Sequence, residues 1–355
     1  MSIGKKKKNL ENLNVLLSLL LFFGLALAGC PPASEERSNQ ALELSGSNPP
    51  EMVEKARASR SIQHAMGTTQ IAETPERVIT LTNEATDIVL ALGVKPIGAI
   101  KSWSGDPYYD YIEEELSGVP VVGDQSQPNL EKITSLKPDL IIGSKVRHEQ
   151  VYQLLSRIAP TVVSETYGMN WKENLKLYAE ALNKAEKGEK LLANWNQRLA
   201  NFQAKMGNQL SQKVSLVRFM PGTARIYYND SFPGQIVKEA GLQRPQSQDR
   251  EGNHSDITFE QIFQVDGDVL FYFTAEKGDG DATEIEQEWL NHPLWKKLEV
   301  VKNNQVYQVS DVHWNAAQGV QAADLALDDL YKYLLDEKQA TLPFSTESRY
   351  YQVAR

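Results

Sequence analysis

Apolar residues in this chain gather in short runs, many of them β-branched, separated by longer stretches with helical spacing. From Thr74 onward, PERVITL gives the first run, opened by a proline. Residues 84–92 follow with Ile88, Val89 and Leu92 at helical intervals, and Gly93 supplies the stop. KPIGAI and VPVVG read as further strands, NLEKITSLKP as a helix ended by Pro138, and DLIIG as a buried strand. RHEQVYQLLSRI reads as a helix and PTVVSE as the strand that closes the series. Apolar strands without polar alternation, separated by helices, make a parallel sheet covered on both faces.

Residues 171–209 change the texture. Leu175, Tyr178, Leu182, Leu191, Leu192, Trp195, Leu199 and Phe202 recur at helical intervals, and only Gly188 and Gly207 interrupt them. This predicts a long helical stretch of one or two helices. The α/β alternation then restarts with the strands KVSLVRFM and RIYYN, the helices PGQIVKEAGL and ITFEQIFQV, and the strands DVLFYF and QVYQVS. The helix AADLALDDLYKYLL ends the series, and the tail TLPFSTESRYYQVAR has no clear period. Two α/β lobes joined by a long helix is the simplest architecture with this order.

The chain has 355 residues, 41% of them hydrophobic, which is globular composition but too long for one typical core. Four lysines at 5–8 precede an apolar stretch at 15–28, the order of a secretory signal. That stretch falls short of the roughly 20 residues of a spanning helix. It ends at Cys30, the one cysteine, which has no partner in the chain for a disulfide. Leu27, Ala28, Gly29 and Cys30 resemble the lipobox of bacterial lipoproteins, which implies acylation of the Cys30 thiol and a bilayer partner. The segments PPASEERSNQ and LSGSNPPEM are polar and rich in Pro and Ser, as in a flexible tether. The whole chain carries −9, and without residues 1–29 about −12, which argues against nucleic acid. The expected organisation is a signal at 1–29, a tether at 30–63, an N-terminal lobe at 64–170, a linking helical segment at 171–210, a C-terminal lobe at 211–337 and a tail at 338–355.

PERVITLTNEATDIVLALGVKPIGAI, PNLEKITSLKPDLIIG and VYQVSDVHWNAAQGVQAADLALDDLYKYL resemble the helix-linked substrate-binding proteins of ABC importers for siderophores, haem and cobalamin. The likeness runs from about residue 64 to 336. HAMGTTQIAETPERV and SKVRHEQVYQLLSRIAPTVV look most like the branch that binds ferric siderophores, particularly carboxylate or citrate-hydroxamate types. The resemblance implies two Rossmann-like lobes with mainly parallel sheets, a ligand cleft between them and modest hinge motion about the connector. It implies no resident cofactor and no catalysis. The ligand would be a ferric siderophore, the partner an ABC permease, and the location the periplasmic or extracytoplasmic face, lipid-anchored to a bacterial membrane. A cobalamin or haem receptor is the alternative within the family. The sequence has no G-x-S-x-G, Walker A or G-x-G-x-x-G run to support an enzyme.

Ligands of open parallel sheets bind beyond the strand carboxyl ends, and domain interfaces supply the concavity. Arg147 follows DLIIG at such an end, where its guanidinium can grip a carboxylate with two parallel bonds. Arg218 lies inside the apolar strand LVRFM, so its charge needs a partner, either a ligand anion or an internal carboxylate. Arg225 and Tyr227 share a face of RIYYN and serve either a ligand or packing. Trp314, in the loop DVHWNAAQG, resembles a position the family uses as a pocket wall. Trp103 and Tyr108 occupy the loop after KPIGAI. Glu131 in PNLEKI and Glu260 in TFEQI open one helix per lobe, and both match positions where the family uses a surface glutamate to meet permease arginines. The histidines at 64, 148, 254, 292 and 313 lack paired metal-ligand spacing, so no direct metal site is expected.

Overall fold

A computed structural model describes residues 59–335. The signal, Cys30, all but the last residues of the tether, and the tail lie outside the described residues. The first described element is an antiparallel hairpin, Arg60–His64 with Gly67–Ile71, turned by Gly67 at φ 122°. Its first strand falls inside the segment expected to be tether. Alternating polar positions such as Ser61 and Gln63 hid it, while Ile62 and Ile71 plug the hairpin into the core.

The N-terminal lobe is built on four parallel strands in the order Gly98–Ala99, Val78–Thr80, Leu140–Ser144, Thr161–Ser164. Alternate residues point to opposite faces. Val78, Leu140, Ile142 and Val162 therefore join the large central core, while Ile79, Leu81 and Ile141 pack into a smaller outer one. The expected strand VPVVG is reduced to a single bridge, Ala99 with Val121, and a two-residue ladder of Gly123–Asp124 with Gln127–Pro128. The expected helix RHEQVYQLLSRI divides into Lys145–His148, a 3-10 turn at Glu149–Val151 and Tyr152–Ile158.

The helical connector is two helices, Trp171–Ala181 and Ala185–Met206, broken where Asn183 adopts φ 57°. Gly188 does not interrupt the second. A Cβ there would come within 2.7 Å of the Ala179 Cβ, so the glycine lets the two helices approach closely. Trp171 meets Trp195 edge-on at 5.4 Å. Arg198 is buried and ion-paired to Asp324 and Asp328 of the terminal helix Val320–Leu335, which fastens connector to lobe.

The C-terminal lobe carries a five-stranded sheet in the order His254–Ile257, Thr223–Tyr227, Val214–Met220, Val269–Thr274, Val306–Gln308. The last three run parallel, but the first three are antiparallel. The two-residue turn at Pro221 and Gly222, with Gly222 at φ 75°, makes a hairpin where a crossover helix would have kept the strands parallel. ITFEQIFQV is a 3-10 helix, Phe259–Val265, capped by Thr258 and Gln261. One face of this sheet packs Leu216, Tyr227, Phe271 and Phe273 into the central core shared with the N-terminal lobe. The other buries Val217, Phe219, Ile226 and Tyr272 in a separate outer core.

Candidate ligand-binding cleft

The carboxyl ends of the two sheets come together. Asp87, from the helix Asn83–Ala91, accepts hydrogen bonds from the backbone N–H groups of Gln321 and Ala322 at 2.9 and 3.1 Å, and Tyr111 donates to it at 2.6 Å. The carboxylate thus caps the terminal helix of the other lobe. A Cβ on Gly319 would lie 2.2 Å from Asp87 Oδ1, so this approach requires glycine. Tyr109 donates to the Ala316 carbonyl at 3.2 Å while accepting from Asn83 and from the Trp103 N–H. Ala316 ends a single π-turn, Val312–Ala316, that bridges the last strand and the terminal helix.

Both lobes carry guanidinium groups on or just past their strands. Arg147 is exposed on the short helix Lys145–His148, just past Leu140–Ser144. It donates to the Tyr167 hydroxyl, with its guanidinium carbon 5.2 Å from that ring's centre. From the C-terminal lobe, Arg218 and Arg225 are register partners on adjacent antiparallel strands and lie side by side on one face. Arg218 forms a bidentate pair with Asp311, Nε to Oδ1 at 2.6 Å and Nη2 to Oδ2 at 2.9 Å. Its Nη1 lies 3.8 Å from the Met220 sulfur, and the guanidinium also interacts with the Tyr227 hydroxyl. Burial works against the Arg218 charge, but Asp311 and Tyr227 together outweigh it, so the guanidinium is held firmly protonated. Arg225 pairs with Asp256 at 2.7 Å, its cross-strand neighbour. Tyr227 is buried beside Arg218, between His254 and Phe273. Burial pushes the phenol up, so it is a neutral donor.

Of the residues singled out in the sequence, Trp103 and Arg147 follow strands of the N-terminal lobe, while Arg218, Arg225 and Tyr227 lie together on the C-terminal sheet. Tyr108 and Trp314 do not offer a binding surface. Tyr108 is 3% exposed, and its hydroxyl donates to the Val119 carbonyl within its own lobe. Trp314 is fully buried, stacked on Phe271 at 5.2 Å, and its indole N–H donates to Asp329 at 2.8 Å. A loop position and small neighbours suggested a wall, but the π-turn rotates the indole into the core.

Asp311, Tyr109, Tyr167 and Lys277 belong to the same region and were not singled out. Lys277 follows the strand Val269–Thr274, so the strand-end rule that drew attention to Arg147 applies to it equally. Asp311 sits just past the last strand, where a carboxylate in a cationic cleft runs against a search for anion binders.

Glu131 and Glu260 are both exposed and lie in the first turns of Leu130–Ser135 and Phe259–Val265. Thr258 donates to Glu260 at 2.5 Å and lowers its carboxyl pKa. Glu260 borders a depression of about 380 Å³ that Pro245, Gln246 and the exposed Phe263 also line.

Two α/β lobes on a helical connector are the architecture of a two-lobed solute-binding protein. The Periplasmic binding protein family model matches residues 78–312, and the chain belongs to that family. It is 42% identical over 331 residues to the Bacillus subtilis protein named "Probable siderophore-binding lipoprotein YfiY", covering 91% of this chain and 99% of that one. It is 36% identical over 263 residues to the achromobactin-binding periplasmic protein of Dickeya dadantii, covering 72% and 85%. The crystal structure of Staphylococcus aureus SirA complexed with staphyloferrin B superposes with a TM-score of 0.73 at 38% identity, covering 79% of this chain and all of that one.

Proposed function

We propose that this protein captures an anionic ferric siderophore of carboxylate or citrate-hydroxamate type between its lobes and delivers it to an ABC permease for iron uptake. It performs no chemistry on its cargo. The observation that carries this reading is that each lobe bears guanidinium groups, Arg147 just past a strand of one and the adjacent Arg218 and Arg225 on strands of the other, in a chain of net charge −9. Guanidinium groups suit this ligand because they bind carboxylates through paired, charge-assisted hydrogen bonds. The names of the related proteins, which refer to siderophores and to achromobactin, support the same class. Cys30 carries the lipid that keeps the protein at the membrane, and incorporation of a palmitate analogue should disappear in Cys30→Ala.

Glu131 and Glu260 are the docking residues, one on each lobe. The depression beside Glu260 and the exposed Phe263 add an apolar rim to that contact. Glu131→Arg/Glu260→Arg is the test, measured for ferric siderophore affinity and for iron uptake in cells. Charge reversal facing permease arginines costs several kcal/mol at an interface. The expected outcome is unchanged affinity with lost uptake. Normal uptake would remove the docking role, and lost affinity would place these residues in the cleft instead.

A further inference from the structure

A second kind of cation stands at the mouth of the cleft. Lys277 lies three residues past Val269–Thr274, the strand whose Phe273 is the register partner of Arg218. Its ammonium sits 3.5 Å from the centre of the Trp103 ring. Trp103 comes from the opposite lobe, in the loop after Gly98–Ala99, and is 48% exposed. The pair therefore spans the opening between the two sheets' carboxyl ends.

The loop beneath Lys277 is fixed by its neighbour. The Glu276 carboxylate accepts hydrogen bonds from the backbone N–H groups of Lys277, Gly278, Gly280 and Thr283 at 2.7–3.2 Å, and from the Thr283 hydroxyl at 2.7 Å. Those bonds hold the Glu276 carboxyl down to about 2, so it is charged at every working pH. Glu276 is thereby committed to its own turn. Among the described residues, the indole is the partner found for the Lys277 ammonium. An exposed cation–π contact is weak beside a charge-assisted hydrogen bond to a carboxylate. An arriving anion therefore offers Lys277 a better partner than it has.

We propose that Lys277 is a ligand-binding cation of the C-terminal lobe, and that its contact with Trp103 is a gate the anionic ferric chelate opens on entry. The ligand draws the ammonium off the indole, and the uncovered ring packs against the chelate. Opening needs only side-chain rotation, which suits lobes already joined by Asp87 and Tyr109. This inference rests on the siderophore reading.

The test is isothermal titration of ferric staphyloferrin B and of ferric citrate into the full chain in detergent. Wild type, Lys277→Met and Lys277→Arg are compared, and Trp103 emission is isolated by difference from Trp103→Phe. Lys277 is exposed, so neither substitution threatens folding. Lys277→Met is expected to weaken the tighter chelate about tenfold or more, and Lys277→Arg by no more than about threefold, since the charge is kept. The Trp103 emission of wild type should shift on saturation, and ligand-free Lys277→Met should already show a shift. Equal affinity in wild type and Lys277→Met overturns the role of Lys277 and leaves the siderophore reading standing. Lost affinity with an unmoved Trp103 emission overturns the gate. Failure of wild type to bind any ferric siderophore overturns that reading and this inference together.

Discussion

The two lobes present the same residue type in opposite electrostatic settings. Arg147, in the N-terminal lobe, lies beyond its strand in solvent and leans on the Tyr167 ring and hydroxyl. Arg218, in the C-terminal lobe, lies within a strand whose first six residues are buried, and it is clamped by Asp311. A buried charge without a partner is expensive, whereas an exposed one is hydrated. The difference separates two jobs. Arg218 is a preorganised guanidinium, with Nε and Nη2 held by Asp311 and Nη1 beside the Met220 sulfur, and on the proposed function it would meet a ligand already fixed in place. Arg147 bears an exposed charge without a carboxylate partner among the described residues, which on the proposed function leaves it able to meet an anion.

The comparison breaks most visibly at Arg218. Arg218→Ala strands the Asp311 carboxylate and should destabilise the fold by about 3–5 kcal/mol. Arg218→Met/Asp311→Leu should recover most of that stability without recovering ligand affinity. Thermal melts paired with titration check both, and a double variant that binds normally would mean that Arg218 serves the fold alone. Trp314→Ala should cost about 3–4 kcal/mol of stability, the usual price of an emptied aromatic site in a core. A wild-type melting temperature in that variant would return Trp314 to the pocket.

On the N-terminal side the expected effect moves from stability to binding. Arg147→Ala should weaken ligand by about 1.5–3 kcal/mol, the value of a charge-assisted bond. Its melting temperature should stay within about 1 °C, as for other exposed substitutions. Equal losses of stability at Arg147 and Arg218 would erase the distinction between the lobes.

The smallest effect concerns the lobe junction. Burial pushes the Glu84 carboxyl up to about 8 and that of Asp87 up to about 6. Glu84 accepts from Asn174 and from the Gly168 N–H at 3.0 Å, and it folds in neutral form. A carboxyl raised on folding gives its full stabilising share below its unfolded value, 4.5 for Glu84, and loses it as pH rises through about 8. The melting temperature should therefore fall between pH 6 and 8.5 by about 2–4 °C, and Glu84→Gln should flatten much of the slope. A steeper fall in Glu84→Gln would contradict the assignment.

The alternation of β-branched runs and helices is legible along the chain because parallel strands buried on both faces leave a near-continuous apolar record. The hairpin at Arg60–His64 escaped because one of its faces is polar, and the antiparallel half of the second sheet because a two-residue turn decides it. Within the site, Arg147 and Trp103 could be found from their places at strand ends. Trp314 could not be placed, because a π-turn sets which way a side chain points and leaves no periodic signal. Whether Arg218 faced a ligand or a carboxylate was open for a related reason: Asp311 is 93 residues away, and only the parallel pairing of the strands brings it close.

The central claim is that the cations of the two lobes select an anionic ferric chelate. Tryptophan-fluorescence titration of the full chain in detergent, against ferric staphyloferrin B, ferric citrate, haem and cobalamin, tests it most directly. The account predicts saturable binding of a ferric chelate with Kd below about 1 μM, near −8 kcal/mol, and weaker or no binding of the others. Saturation by cobalamin or haem, with no response to any ferric siderophore, would contradict it.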